Sequence, residues 1–432
     1  MTTYFFRATL ALTFAVLLGL ACTVPAAAIG EKEFHVLDGV LMRGEDTAEI
    51  HAIYAPDAGQ GGGSNETMLP AMAKIASVGA NTICFDLTEI SEDGSHVSAT
   101  ALRTVRTIYD RADTQGMRVM VNVLGNSTDP TWRRNAIKAA AKRLRNEPRV
   151  LYLIDGPNAG DLTDMFKSKA PRCMVVSPRN GDLRLSKDAP GDTPDTASLY
   201  ADHVVGRDDA EAHFLLDGSP ESYTALDNAL MHPSEKETWN HDPAILSKAE
   251  QAEGFVPIFN GKDLSGWRYH GDNENGFNVD PYGFIQWREE GGTALLSAKR
   301  YGDFTLRIEY KILSGGNSGI FLRAPRDCRQ SYIGMEFQLR GDHGIPPGED
   351  QTGALYMQHA ADANPSNPGG EWNALEITLK GMHIKAILND VVIHDYDLTE
   401  HEDLAYRNQR GFIGLQDHND YVCFRNIRIK EL

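Results

Sequence analysis

Two short alternating segments carry side chains suited to acid–base chemistry on a polar ligand. Gly319, Phe321 and Arg323 face one way along the first, and Glu336 and Gln338 share a face of the second. An unpaired charge in mid-strand is too costly for a core, so these faces look outward or into a cleft. Arg323 stays charged and offers a planar fork of donors for a carbonyl or carboxylate oxygen. Glu336 is the candidate general base, and Gln338 a partner for hydroxyl groups. In the turn Gln416-Asp417-His418, His418 suits a base or acid whose tautomer Asp417 would fix. Asp342 and His343 repeat that pairing. The catalytic candidates are thus Glu336, His418 and Arg323, and the binding candidates Gln338, Asn317, Asp342, Gln416 and Asp417.

Each has a structural alternative. Arg323 and Glu336 suit an ion pair across neighbouring strands, Asp417-His418 a plain turn, and Asn317-Ser318-Gly319 a tight strand entry. Trp267, Trp287 and Trp372 read as core or edge packing ahead of sugar platforms. His359, His383, His394 and His401 do not form a recognisable metal triad.

The elements that must position these groups fall into two domains. Before the stretch 232–253, apolar runs at 51–54, 81–87, 118–123, 150–154, 174–177, 201–205 and 213–216 alternate with helical periodicity at 67–78, 100–115 and 131–145. With 36–42 as an eighth strand, residues 29–231 predict a compact or incomplete (β/α) barrel, which resembles those of glycoside hydrolases. Its strand ends would carry Tyr54, Asp86, Asn122, Asp155, Arg207 and Asp217. Glycosidase carboxylates stand about 5 Å apart or somewhat more, which Asp86, Asp155 and Asp217 could supply. Asn146-Glu147-Pro148 precedes its strand, at the wrong end for catalysis, and reads as a turn. A degenerate barrel that binds sugar or supports its neighbour is the expectation. Gly61-Gly62-Gly63 lacks the lysine and spacing of a phosphate loop.

Residues 232–253 read as a linker, and 254–432 as an all-β domain. Its strands are expected at 284–287, 304–312, 319–323, 334–339, 373–380, 383–388, 391–396, 411–416 and 422–429, punctuated by turn residues. Asn389-Asp390 between apolar runs signals a hairpin.

The phrases Ile-Phe-Asn-Gly-Lys-Asp-Leu-Ser-Gly-Trp (258–267), Gly-Asn-Ser-Gly-Ile-Phe-Leu-Arg (316–323), Gly-Met-Glu-Phe-Gln (334–338), Thr-Gly-Ala-Leu-Tyr (352–356), Gly-Glu-Trp-Asn (370–373) and Gly-Leu-Gln-Asp-His (414–418) run in order. Through them 254–432 resembles the 3-keto-disaccharide hydrolase family, which implies a concanavalin-like jelly roll following the barrel. The resemblance further implies cleavage of glycosides bearing a ketone at C3. Such a ketone acidifies the C2 proton, so one base and donors for an enolate oxygen suffice to expel the C1 substituent. A non-catalytic carbohydrate-binding sandwich beside a degenerate or active barrel is the alternative.

Residues 1–28 read as a cleavable signal peptide, whose apolar run falls short of the ~20 residues that span a bilayer. The expectation is a periplasmic or secreted protein, with a lipid anchor at Cys22 the minority reading. The chain has 42 basic and 60 acidic residues, a net charge of −18. That charge repels nucleic acid and anionic membranes and suits a neutral partner such as carbohydrate. Cys84, Cys173, Cys328 and Cys423 lack metal-site spacing; burial is expected for the first two, and a Cys328–Cys423 disulfide would suit an oxidising compartment. No cofactor is called for. A structural Ca²⁺ would suit an acidic exported sandwich, but no loop of standard calcium spacing is present, so none is assigned, and the oligomeric state is left open.

Overall fold

The computed structural model describes residues 30–37, 40–186, 198–201, 213–229, 245–270, 276–287 and 294–432. The leader, Arg207 and most of the linker lie outside them. Strands β1 (Phe34–Leu37), β2 (Val40–Arg43) and β3 (Asp46–Thr47) form a small antiparallel sheet. Next come β4 (His51–Tyr54), β5 (Thr82–Asp86), β6 (Arg118–Asn122), β7 (Leu151–Leu153), β8 (Met174–Ser177), β9 (Leu183–Ser186), β10 (Ser198–Ala201) and β11 (His213–Leu216). These eight pair in parallel, each with its sequence neighbours, and close where β11 meets β4. Helices α1 (Asn65–Ser77), α2 (Ala99–Thr114), α3 (Pro130–Leu144), α4 (Ala159–Lys167) and α5 (Pro220–Ala229) accompany them. Ser98 and Asp129 cap α2 and α3 by accepting from Ala101 N (3.1 Å) and Trp132 N (2.5 Å), satisfying donors that a helix start leaves bare.

Strand alternation sorts this domain into two layers. Ile53, Ile83, Phe85, Val119, Val121 and Tyr152 pack outward against the helices, while Ala52, Cys84, Met120, Leu151, Leu153, Met174 and Val176 fill the interior. Phe34 and Leu41 join that interior cluster, and Phe34 N donates to the carbonyl of Pro148, just before β7 (3.3 Å). The hairpin therefore stoppers the end where the strands begin. This corrects two expectations. Residues 36–42 are not a barrel strand, and the eighth strand is Leu183–Ser186, too short for its alternation to stand out.

After α6 (Lys248–Glu253) the chain is antiparallel. Its strands are β12 (Val256–Pro257), β13 (Trp267–His270), β14 (Phe277–Val279), β15 (Ile285–Trp287), β16 (Ala294–Tyr301), β17 (Phe304–Ile312), β18 (Asn317–Ala324), β19 (Met335–Arg340), β20 (Trp372–Lys380), β21 (His383–Leu388), β22 (Val391–Asp397), β23 (Gly411–Gln416) and β24 (Val422–Glu431). One sheet runs β14-β15-β24-β17-β20-β21-β22 with β12 beside β24; the other runs β13-β16-β23-β18-β19. Leu306, Ile308 and Tyr310 of the first share one core with Ile320, Leu322, Phe337 and Leu339 of the second, so the sheets face each other. Asn389 and Asp390 both take positive φ (46° and 66°), as a tight two-residue hairpin requires.

The two sheets differ in their outer faces. Strand β17 alternates buried with half-buried residues along its length, whereas β18 is buried on both faces from Ser318 to Ala324. Ala294, Leu296, Phe321, Ala324 and Phe412 form a separate buried cluster on the outer side of the five-stranded sheet.

The domains meet through apolar contacts, with Ile333 buried in the barrel's outer core and Cys328 and Tyr406 packed against it, and through polar ones. Asp227 of α5 binds Arg300 (2.7 Å) and Arg326 (3.2 Å), and Arg329 N donates to Gln115 O (3.0 Å). The four cysteines among the described residues are free, so Cys328 and Cys423 do not form the disulfide considered above; Cys84 and Cys173 are buried.

Candidate active site

Pairing of β18 with β19 sets Glu336 opposite Phe321 and Gln338 opposite Gly319. Glycine at 319 leaves room above the sheet, and the Glu336 carboxyl fills it: a Cβ on Gly319 would stand 2.4 Å from Glu336 Oε1. Glu336 is 3% exposed and Gln338 1%. Burial pushes the Glu336 carboxyl up to about 8, and a hydrogen bond from Gln416 holds it down in part. With its amide oriented to satisfy both ends, Gln338 donates to Glu336 Oε1 (3.2 Å) and to Ser318 O (3.0 Å). The Ser318 hydroxyl in turn donates to Gln416 O (2.9 Å), tying β18 to β23. Glu336, Gln338 and Gln416 are thus one cluster: a buried, protonatable carboxyl held by two amides.

The remaining candidates are placed elsewhere. Arg323 does not share the face of Phe321, because a bulge sets Phe321 opposite Gly414 but Ala324 opposite Phe412 and makes Arg323 the extra residue, with φ of 51°. Its guanidinium is wholly buried and donates to Gly302 O (2.9 Å), Gly381 O (2.8 Å) and Asp303 Oδ1 (3.0 Å). Neither a role on substrate nor the ion pair with Glu336 survives; Arg323 ties together two turns. Asp342 accepts from Thr352 Oγ1 (2.6 Å), Thr352 N (2.9 Å) and Asn364 Nδ2 (3.1 Å), and His343 Nδ1 lies 2.5 Å from Ser366 O. That pair latches the long loop after β19 and is not a binding dyad. Asn317 enters β18 with its N–H on Asp420 Oδ2 (3.0 Å).

His418 is exposed in the turn beyond Gln416. Asp417, expected to orient it, instead accepts at Oδ1 from Trp287 Nε1 (3.0 Å) and Asn419 N (2.9 Å). Trp267 donates to Ile258 O (2.7 Å) in the core, and Trp372 lies under the Arg425 guanidinium at 4.0 Å. Three histidines gather around Tyr396: His359 lies 4.4 Å from its ring, 5.8 Å from His394 and 6.3 Å from His401, ring to ring. No group among the described residues is arranged to hold a metal ion.

One row of residues on the face that carries Glu336 was missed. Arg268 stands opposite Leu296, Leu296 opposite Gly414, Gly414 opposite Phe321 and Phe321 opposite Glu336, so all five share the outer face of this sheet. The Arg268 guanidinium lies 4.7 Å from the Phe412 ring, and His270 Nε2 meets Gln330 Nε2 at 2.9 Å. Burial lowers the His270 pKa. The alternation in Trp-Arg-Tyr-His at 267–270 was the available signal.

In the barrel, Glu147 is a buried ion-pair partner of Arg106 (Nε at 2.8 Å) and Arg149 (3.7 Å) next to β7, which fits a turn role. Asp217 braces the turn into α5, accepting from Ser219 N (2.9 Å) and Ser222 Oγ (2.6 Å), while Ser219 Oγ caps the helix by accepting from Ser222 N (3.2 Å). The Asp155 carbonyl accepts from Arg133.

The antiparallel segment that holds this buried carboxyl belongs at family level to a class of carbohydrate-active proteins. Residues 254–430 match the model of the 3-keto-alpha-glucoside-1,2-lyase-like domain. A 3-keto-disaccharide hydrolase of Bacteroides thetaiotaomicron is 31% identical over 232 residues, covering 42% of this chain and 79% of that protein. The chain belongs to the 3-keto-disaccharide hydrolase family through this segment. At family level it is a glycoside-acting enzyme. A crystal structure of a putative glycosyl hydrolase from Parabacteroides distasonis is 27% identical, covering 43% of this chain and 98% of that one, with a TM-score of 0.38. The carbohydrate binding module CBM66 from Bacillus subtilis is 18% identical, covering 38% and 96%, with a TM-score of 0.30.

Proposed function

We propose that the antiparallel domain, a concanavalin-like jelly roll following a (β/α) barrel of glycoside-hydrolase type, cleaves glycosides whose sugar bears a ketone at C3. Glu336 as carboxylate takes the C2 proton, and the electron pair of that C–H bond becomes an enolate on the C3 oxygen. Gln416 donates to that oxygen. Collapse of the enolate forms the C1–C2 double bond and breaks the bond to the C1 substituent, whose oxygen takes a proton from His418 at the rim. Water then adds at C1, giving a proton back to His418, while C2 regains a proton from Glu336, so that the net reaction is hydrolysis. In this reading the protein is exported and acts in the periplasm or outside the cell.

The observation that carries this reading is the buried Glu336 carboxyl, raised to about 8 and held by Gln338 and Gln416. A base with a pKa near working pH combines availability with proton affinity, which abstraction from carbon needs. The test incubates the purified full chain with p-nitrophenyl 3-keto-α-glucoside and follows nitrophenol release. Release by wild type, lost in Glu336→Gln, is the expected result; equal rates in both would remove Glu336 from the mechanism.

A further inference from the structure

We propose that the carboxyl-terminal end of the barrel is a second carbohydrate site, in which Asp86, presented by Asn122 and flanked by Tyr54, accepts hydroxyl groups of a neutral hexoside. The amino-terminal end is occupied by the β1–β2 hairpin, through Phe34 and Leu41. At the other end Tyr54, Asp86 and Asn122 are the last residues of β4, β5 and β6, three neighbours in the ring. Ligand groups in parallel barrels come from such strand ends.

Asp86 and Asn122 stand opposite in register, and Asn122 Nδ2 donates to Asp86 Oδ1 at 2.8 Å. Asn122 is 8% exposed, whereas Asp86 and Tyr54 are only half-buried, so the amide is fixed and the carboxylate reachable. The Tyr54 phenol lies beside both; burial first, then Asp86, raises its pKa, which keeps it protonated. Over the second carboxylate oxygen stands Gly125, with φ of 52°, where a Cβ would lie 3.5 Å from Oδ2. The three nearest atoms to that Cβ all belong to the Asp86 carboxyl itself.

Structural carboxylates in this barrel look different. Asp217 is spent on the Ser219 N–H and Ser222 hydroxyl at the turn into α5, and Glu147 on two arginines. Among the described residues Asp86 meets neither a cation nor a backbone N–H; the Asn122 amide donates to it and the Tyr54 phenol lies within its reach. A half-buried carboxylate held by one amide and one phenol keeps lone pairs free for further O–H donors. A net charge of −18 disfavours an anion, and among the described residues no group of metal ligands surrounds it. A neutral polyol, with Tyr54 supplying both a ring edge and a hydroxyl, fits these constraints.

The test uses the full chain, titrated with methyl α-D-glucopyranoside and with cellobiose by saturation-transfer NMR and calorimetry. Wild type and Glu336→Gln are expected to bind at least one probe equally. Asp86→Ala should weaken binding about tenfold, the scale of one charge-assisted hydrogen bond, and Asp86→Asn, which keeps the shape, should weaken it as well, so a fold defect in the alanine variant leaves the test intact. The proposal is overturned if wild type binds neither probe, if both Asp86 variants bind as wild type does, or if Glu336→Gln abolishes binding. The last outcome would assign the sugar to the sandwich, while loss of nitrophenol release alone would leave this site standing.

Discussion

The Glu336 carboxyl occupies the space above the bare backbone of Gly319, where a Cβ would come within 2.4 Å of its Oε1. Gly319→Ala should therefore displace the carboxyl from Gln338 and Gln416, lowering aglycone release at least tenfold and stability by about 1–3 kcal/mol, the cost of overpacking a tight site. Urea melts and steady-state rates measure the two effects separately. A wild-type rate in this variant would mean that the carboxyl needs no such seat.

Glu336 is neutral below its pKa of about 8 and becomes a base above it. The kcat/KM for a 3-keto-glucoside should rise close to tenfold per pH unit below that value and level off above it. Removing Gln416 takes away a bond that favours the carboxylate, so Gln416→Ala should move the limb to higher pH as well as lower the plateau. Overlapping profiles for the two proteins would exclude the Gln416 contact.

The same shift has a stability consequence of opposite sign to the usual carboxylate. The folded form holds its proton up to about 8, whereas an unfolded glutamate loses it near 4.5, so stability drains as pH rises between those values. Glu336→Gln should cancel that drain. Its unfolding free energy is expected to match wild type near pH 4 and exceed it increasingly toward pH 8, by roughly 5 kcal/mol at most. Calorimetry across that range decides it, and a constant difference would contradict it.

Arg323 offers the contrasting case. It bridges Gly302, Gly381 and Asp303 and touches no other candidate. Arg323→Met should cost about 1.5–3 kcal/mol through lost charged hydrogen bonds. At a temperature where the variant stays folded, kcat should be within a factor of about two of wild type. A large kcat loss with normal stability would return Arg323 to the active site.

How legible was this site? Period-two alternation placed Glu336 and Gln338 on one face, and the fold keeps them there, since β19 runs without interruption from Met335 to Arg340. The same rule failed at Arg323, because a bulge adds a residue that local pattern does not announce. Arg268 and His270 were missed because β13 is four residues long and its meaning lies in β16, its partner. Gln416 became part of the cluster only when sheet order set β23 beside β18, almost a hundred residues apart in sequence, as the Ser318–Gln416 bond attests.

By itself the sequence determined what depends on neighbours along the chain: a βα-patterned half before an all-β half, the Asn389-Asp390 turn, and the side on which Glu336 and Gln338 stand. Side-chain period and turn chemistry are local, and they act before any sheet forms. Tertiary structure decided what depends on contacts between distant strands: that β1 and β2 stopper a barrel instead of joining it, that Arg323 is diverted by a bulge, and that Glu336 is buried against Gly319 and Gln416. Burial is a property of the packed sheet, and burial is what turns an ordinary glutamate into one that titrates near neutral pH.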